Sequence, residues 1–284
     1  MIRKIILPVR GDGKGNNVFA HAAALAKRFN AHVVVTHCRA RAEDLLPFGV
    51  PIPAFMKEQL IEQARKLADL EEKGLEGEFE ELAEQLGLKM TEEHLTDAAS
   101  TSWVEEAGRQ VDVIKHHGRL ADVICVAKPD RDRNLGTNTL KAALFNTGRP
   151  VMMCPAKDTP PQTLGDKITI AWNGSTEAAR AVALCIGIIE KASEITILSS
   201  GTEVHGANAE DLLTYFSDRG IEAKIERFTA KRKIGVELLE RSKAAGADLM
   251  IMGAYGDSHE HESVFGGNTQ HIVDNADIPI ILVH

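Results

Sequence analysis

Short apolar runs alternate with alanine-rich amphipathic stretches along the whole 284-residue chain. The apolar runs have the length of buried strands, and the amphipathic stretches carry apolar side chains at helical spacing. Strict alternation of strand and helix predicts a parallel sheet whose strands are joined by right-handed helical crossovers. The predicted fold class is therefore α/β, with a doubly wound, Rossmann-like sheet covered by helices on both faces.

The same alternation occurs twice, and it predicts a tandem duplication. The first half opens with the apolar strand KIILPV at residues 4–9, and the second opens with KITIAW at residues 167–172. Farther along, the run at residues 121–126 corresponds to the run at residues 247–252. Each half is long enough to bury a core of its own, so we predict two doubly wound domains in one chain.

The two halves are joined by a linker and differ by an insertion. We place the first domain at residues 1–157 and the second at residues 166–284, and a pair of prolines in the linker cannot continue a helix. The first domain carries extra residues over 41–77, which we interpret as a loop and an inserted helix that begins near Ala54. We expect this helix to pack on its own domain; a lid or a partner-docking surface is the alternative.

A glycine-rich loop connects the fourth strand of the second domain to the helix that follows. The strand ends at Met252, Gly253 and Gly256 come next, and the helix is predicted over residues 268–275. Glycine lacks a Cβ atom, so backbone N–H groups of such a loop approach an anion closely, and the N-terminus of the helix adds partial positive charge. The loop therefore predicts a phosphate site at the carboxyl edge of the sheet.

The spacing of the loop glycines resembles that of the universal stress protein family. Nucleotide-binding members carry G-x2-G-x9-G followed by Ser or Thr, and Gly253, Gly256 and Gly266 match this pattern. Gly267 stands where the family has the hydroxyl, and Asn173 stands where the family offers a carboxylate to the nucleoside. The resemblance implies two domains of the adenine-nucleotide alpha hydrolase type, with ATP and Mg²⁺ as the expected ligand of the second.

The resemblance also implies a set of binding residues. Backbone N–H groups of the loop and of Asn268 would meet the phosphates, and Thr269 is the nearest replacement for the missing hydroxyl. Asn173 would contact the nucleoside, which Met252 and Tyr255 would border. The predicted nucleotide-binding set is Asn173, Met252, Gly253, Tyr255, Gly256, Gly266, Gly267, Asn268 and Thr269.

The corresponding loop of the first domain, residues 127–139, has charged residues and a proline in place of the glycines. Pro129 fixes φ and removes an N–H donor, so this copy is predicted to be degenerate. Lys128, Arg131 and Arg133 offer positive charge for an anion, but aspartates alternate with them. We interpret the loop as a solvated surface segment.

Two groups of histidines invite a metal interpretation. His259, His261 and His271 gather around the glycine loop, but they lack the spacing of a dedicated zinc site, and we expect a solvated loop tip. His116 and His117 end a predicted helix of the first domain, where cations favour the helix C-terminus. We therefore assign no resident metal and no catalytic residue.

Composition narrows the range of partners. The chain has 41 acidic and 33 basic residues, and this net negative charge argues against nucleic acid as a partner. No apolar run approaches the ~20 residues that span a bilayer, so no membrane partner is expected. The four cysteines form no CxxC pair and are predicted to be reduced packing residues of a cytoplasmic protein.

Together these patterns predict a cytoplasmic stress-response protein that binds and signals rather than a metabolic enzyme. Two alternatives stay open: an interaction scaffold that binds no nucleotide, and a slow ATPase. In the resembling family the last strands of two domains pair across a pseudo-twofold axis, so here we expect that pairing inside one chain. The free sheet edges of such a chain also leave a homodimer open.

Overall fold

Strands and helices alternate along both halves of the chain, as the hydrophobic pattern predicts. The computed structural model describes residues 1–9, 15–39, 54–133, 135–156, 163–201, 206–255 and 267–284. The elements of the first half are β1 (Lys4–Val9), α1 (Gly15–Phe29), β2 (His32–Arg39), α2 (Ala54–Gln85), β3 (Lys89–Met90), β4 (Ser100–Ala107), α3 (Gln110–Gly118), β5 (Val123–Ala127), α4 (Thr137–Thr147) and β6 (Val151–Cys154). Those of the second are β7 (Lys167–Trp172), α5 (Thr176–Ile189), β8 (Glu194–Ser200), α6 (Ala209–Ser217), β9 (Lys224–Phe228), α7 (Ile234–Ala244), β10 (Leu249–Gly253), α8 (Gly267–Asn275) and β11 (Ile280–Val283).

All of these strands belong to one sheet of 11 strands. The order is β4-β2-β1-β5-β6 in the first half and β9-β8-β7-β10-β11 in the second, so the two halves repeat one arrangement. Strands within each half run parallel, and the short β3 extends the outer edge beside β4. Two tandem doubly wound α/β domains are thereby confirmed.

The two halves join through their last strands. β6 and β11 pair antiparallel, with Met152 opposite Ile281. Because both strands are fully buried, the junction is an internal part of the sheet rather than an exposed edge. The antiparallel pair relates the two parallel halves by a pseudo-twofold axis.

The core consists of two apolar layers, one on each face of the sheet. Along β1, Ile5 and Leu7 point into one layer and Ile6 points into the other. The same alternation holds along β10, where Ile251 belongs to the first layer and Met250 to the second. Strands that bury both faces have continuous apolar sequences, which explains why the pattern identified them.

The extra residues of the first half lengthen one helix. α2 begins at Ala54, where the sequence places the start of an inserted helix, and it continues past Gly77 to Gln85. It occupies the chain position between the second and third long strands that α6 occupies in the second half. Although α2 has 32 residues, neither it nor any other helix in the described ranges is long and apolar enough to cross a membrane.

α2 packs on its own domain, as expected. The ring of Phe79 lies 5.2 Å from that of Phe19 and 5.3 Å from that of Trp103. Glu72 is buried on the same helix, accepts a hydrogen bond of 3.1 Å from the Trp103 indole, and contacts His37 at 2.6 Å. An apolar contact and a buried polar contact therefore fix the helix against β2 and β4.

Candidate functional site

A cavity of about 280 Å³ opens at the carboxyl edge of the second-half sheet. It lies at the boundary between β7 and β10. From β7 the chain continues to β8 on one side of this boundary, and from β10 it continues to β11 on the other side. Doubly wound sheets bind ligands at this kind of position. The lining residues are Ala171, Trp172, Asn173, Ser175, Glu177, Leu198, Ser200, Ile234, Leu238, Met252, Gly253, Tyr255, Gly267, Asn268 and Thr269.

The structure brings most of the predicted binding residues to this one cavity. The predicted residues that line it are Asn173, Met252, Gly253, Tyr255, Gly267, Asn268 and Thr269. Gly256 and Gly266 lie outside the described residues, so their contacts with phosphate stay a prediction. Residues from β7, β10 and α8 thus meet although up to 96 positions of sequence, from 173 to 269, separate them.

Gly253 is a glycine because a helix passes close to it. A Cβ atom on Gly253 would lie 2.5 Å from the backbone nitrogen of Ala178 and 2.6 Å from the carbonyl carbon of Glu177. Both atoms belong to the first turn of α5, which cannot move away without disturbing the helix. Gly253 is therefore required by the tight packing of β10 against α5. The sequence had suggested a different reason, namely close approach of the backbone to an anion.

Gly267 has no such constraint. A Cβ atom on Gly267 would meet nothing within 4 Å, and its φ lies outside the left-handed region. It is the first residue of α8, whose N-terminus carries partial positive charge. A side chain fits at this position. Packing would therefore permit the Ser or Thr that the resembling family has here.

Asn173 shapes the turn that begins α5. Its Oδ1 accepts a hydrogen bond of 3.1 Å from the backbone N–H of Ser175. Ser175 in turn caps the helix, since its hydroxyl accepts a bond of 3.2 Å from the N–H of Ala178. The side-chain oxygen of Asn173 is thus used within the turn, which leaves the side-chain NH₂ group to contact a ligand. A carboxylate at this position would offer acceptors instead.

Trp172 anchors the wall of the cavity. It is buried, and its indole N–H donates a hydrogen bond of 3.0 Å to the carbonyl of Ala207, ahead of α6. This arrangement makes Trp172 a packing residue. One side of the indole borders the cavity, but its position is set by α6.

Tyr255 connects the cavity to the first half of the chain. It is buried, its φ of 63° is unusual for a residue with a side chain, and its ring lies 5.2 Å from that of Phe145 on α4. Phe145 also makes an edge contact of 4.9 Å with the ring of His284. Burial raises the pKa of Tyr255, and the nearby Asp274 raises it further, so the phenol is neutral. Phe145 could not be identified from the sequence as a neighbour of Tyr255, because it belongs to the other domain.

The cavity has an apolar floor, a polar rim and little positive charge. Leu198, Leu238 and Met252 form the floor, and serine, asparagine and threonine side chains surround them. Among the described lining residues, Glu177 is the only charged one. The volume is near the lower end of the ~300–1,000 Å³ typical of small-molecule pockets. Such a site suits a compact, partly apolar molecule whose anionic group meets backbone N–H donors.

The matching loop of the first half contacts the second half. Nζ of Lys128 donates a hydrogen bond of 3.0 Å to the carbonyl of Ala276, and Arg131 forms an ion pair of 2.8 Å with Asp274. Desolvation lowers the pKa of the half-buried Lys128. The interpretation of this loop as merely solvated is therefore wrong for Lys128, whereas the side chain of Arg131 is 62% exposed, as the interpretation predicts. Both cations are already engaged, which agrees with a degenerate phosphate site.

Among the described residues, no metal-binding cluster forms from the histidines near the glycine loop. His259 and His261 lie outside the described residues. His271 lies on α8, where its Nδ1 is 3.3 Å from the side-chain nitrogen of Asn275 and its ring packs beside Gly235. In the part of the chain that the structure describes, no metal-ligating group includes His271.

The structure is similar to solved universal stress proteins over nearly its full length. A universal stress protein from Archaeoglobus fulgidus DSM 4304 matches with a TM-score of 0.68 at 15% identity, over 99% of this chain and 97% of that one. A putative universal stress protein from Pseudomonas aeruginosa UCBPP-PA14 matches with a TM-score of 0.57 at 15% identity, over 99% and 93%. A functionally unknown protein from Pseudomonas aeruginosa PAO1 gives 0.54 at 15% identity, over 99% and 92%.

By sequence alone, no protein-family model and no curated protein matches the chain. The structural matches therefore establish a shared fold. That fold is the universal stress protein fold, present twice in one chain.

Proposed function

We propose that this chain is a tandem universal stress protein whose second domain binds a nucleotide, and that it acts in stress signalling as a binding module. The observation that carries the proposal is the cavity at the switch point of the second-half sheet. It joins an apolar floor to a helix N-terminus, and seven of the binding residues that the family resemblance implies lie in its wall. In the described part of the charged loop of the first half, Lys128 and Arg131 are instead engaged by Ala276 and Asp274.

The nucleoside belongs on the floor of the cavity. Leu198 and Met252 offer apolar surface for a base, and the NH₂ group of Asn173 offers a donor to an oxygen or nitrogen acceptor of the nucleoside. Thr269 also lines the cavity and is buried in the first turn of α8. A hydroxyl there bonds either to the phosphate or to the helix backbone.

The phosphates belong at the N-terminus of α8. Backbone N–H groups of Gly267 and Asn268 start this helix and meet an anion without a side chain in between. Because Glu177 is the only charged lining residue described, a polyphosphate needs a counter-charge from outside the wall. We therefore propose that ATP enters with Mg²⁺. The ion neutralises the phosphates.

Titration of ATP and Mg²⁺ against the full chain tests this proposal. In Gly267→Asp the new side chain has room, and an acidic residue at a helix N-terminus favours folding. The same carboxylate repels the phosphates, so binding should weaken at least about tenfold, or about 1.4 kcal/mol.

The matched control is Gly74→Asp on α2. It makes the same chemical change at an exposed position whose Cβ also meets nothing within 4 Å. Equal ATP affinity in the two variants would place binding elsewhere. A wild-type chain that ignores millimolar ATP would leave the scaffold alternative, and phosphate release on mixing with Mg²⁺ would favour the slow ATPase.

A further inference from the structure

Three potential metal ligands meet between β4 and α3 of the first half. Glu106 lies near the carboxyl end of β4, and His116 and His117 lie in the last turn of α3. Oε1 of Glu106 is 2.6 Å from Nε2 of His117 and 3.4 Å from Nδ1 of His116. One ligand atom from each residue lies within 4.8 Å of the other two. The interpretation of the two histidines as helix-terminal cations leaves out this carboxylate.

The geometry points to a divalent transition-metal site formed by Glu106, His116 and His117. Two imidazoles and one carboxylate are the donor set that zinc and its neighbours in the first transition series prefer, whereas Mg²⁺ and Ca²⁺ prefer oxygen alone. With neutral imidazoles the three groups carry one negative charge, which complements a cation. The site is distinct from the cavity of the second half and does not depend on the proposed nucleotide.

Two of the three separations between ligand atoms are near those around a bound ion, and the third is within 4.8 Å. Ligand atoms about 2.0–2.2 Å from a tetrahedral ion lie about 3.3 Å from one another. The separation between Glu106 and His116 is already 3.4 Å, and that between Glu106 and His117 must open from 2.6 Å. In the neutral imidazole, Nε2–H of His117 donates this short hydrogen bond to Oε1 of Glu106. A cation that binds Nε2 takes the place of the proton, which moves to Nδ1 of the same ring.

The surroundings hold two ligands in place and keep one side open. The side chain of His117 is 15% exposed and that of Glu106 is 32% exposed, so both are constrained by packing. The ring of His116 lies 4.7 Å from the ring of His117 and is 72% exposed. Water completes the coordination on this open side, and the ion enters from there. Three protein ligands with an open position distinguish such a site from a closed structural zinc site.

Titration with Co²⁺ tests the site on the full-length chain. His205, His259 and His261 lie outside the described residues, so all three are first replaced by alanine to remove competing imidazoles. This background should bind one Co²⁺ per chain and develop a visible d–d absorption band. In it, Glu106→Gln and His116→Ala should each weaken binding at least about tenfold, since even loss of an outer-shell partner weakens metal binding about 10- to 100-fold.

His94→Ala is the matched control. Its Nε2 bonds to the carbonyl of Asn30 at 3.0 Å, near the amino end of β4 and away from Glu106, so Co²⁺ affinity should stay unchanged. Circular dichroism verifies the fold of each variant, and the exposed His116 is the substitution that disturbs the fold least. Equal affinity in Glu106→Gln, His116→Ala and the background would overturn the assignment. So would a folded background chain that binds no Co²⁺ at millimolar concentration.

Discussion

At the scale of single residues, the two glycines that line the cavity have different surroundings. Gly253 leaves room for the first turn of α5, where a Cβ atom would lie 2.5 Å from a backbone nitrogen. Gly267 faces open space at the start of α8. In the sequence both positions are simply glycine, and the sequence records only that a side chain is missing. The distinction needs the neighbouring helix, which lies far away in sequence.

Gly253→Ala and Gly267→Ala should therefore differ in stability. Overpacking against a fixed backbone typically destabilises by about 1–3 kcal/mol, so the first substitution should lower the free energy of unfolding by at least that amount. The second adds a methyl group in open space and should change it by less than about 1 kcal/mol. Urea denaturation of both variants measures the difference. Equal effects would contradict the packing reason for Gly253.

At the scale of elements, the sequence predicts what is local and misses what depends on packing between elements. The strands β7 and β10 were evident because each buries both faces with a continuous apolar run. Ile234 and Leu238 line the cavity but look like ordinary core positions of a helix. Phe145 reaches Tyr255 only because the two halves join. No local pattern contains that information.

A buried histidine between β2 and β4 makes the stability of this strand pair depend on pH. His32 bonds to the hydroxyls of Ser100 at 2.8 Å and Ser102 at 3.0 Å. Burial lowers the pKa of His32 from 6.5 to about 4, with smaller contributions from His94 and Lys4. The folded chain therefore keeps this imidazole neutral where the unfolded chain protonates it. Its contribution to stability is present above pH 6.5 and is lost as the pH falls towards 4.

His32→Gln should remove this part of the pH dependence. Between pH 7 and pH 4.5 the wild-type chain should lose about 2 kcal/mol more of its free energy of unfolding than the variant does. His284→Gln, which replaces an exposed imidazole, serves as the control and should resemble wild type. Urea denaturation at the two pH values measures each loss. Parallel losses in wild type and His32→Gln would argue against a neutral buried imidazole.

At the scale of the whole molecule, the two domains share one sheet and several further contacts. Besides the β6–β11 pair, Arg28 forms an ion pair of 3.6 Å with Asp166, and Lys191 donates a bond of 3.2 Å to the carbonyl of Arg28. The degenerate loop adds the contact between Arg131 and Asp274. Lys128 and Arg131 of this charged loop thus contact the second domain.

This junction predicts that the two halves unfold together. The chain has two tryptophans, Trp103 in β4 and Trp172 in β7, so each half carries one fluorescent probe. Urea unfolding of Trp172→Phe follows the first half, and that of Trp103→Phe follows the second. In each variant the fluorescence midpoint should coincide with the midpoint from circular dichroism. Two separated transitions would show that the halves are independent.

The most direct measurement for the central claim is mass spectrometry of the small molecules released when the purified chain is denatured. The account predicts a nucleotide at close to one per chain from wild type, retained in Gly74→Asp and absent from Gly267→Asp. A wild-type chain that releases no nucleotide and binds none when millimolar ATP and Mg²⁺ are added would contradict the nucleotide site. So would a nucleotide that Gly267→Asp retains in full.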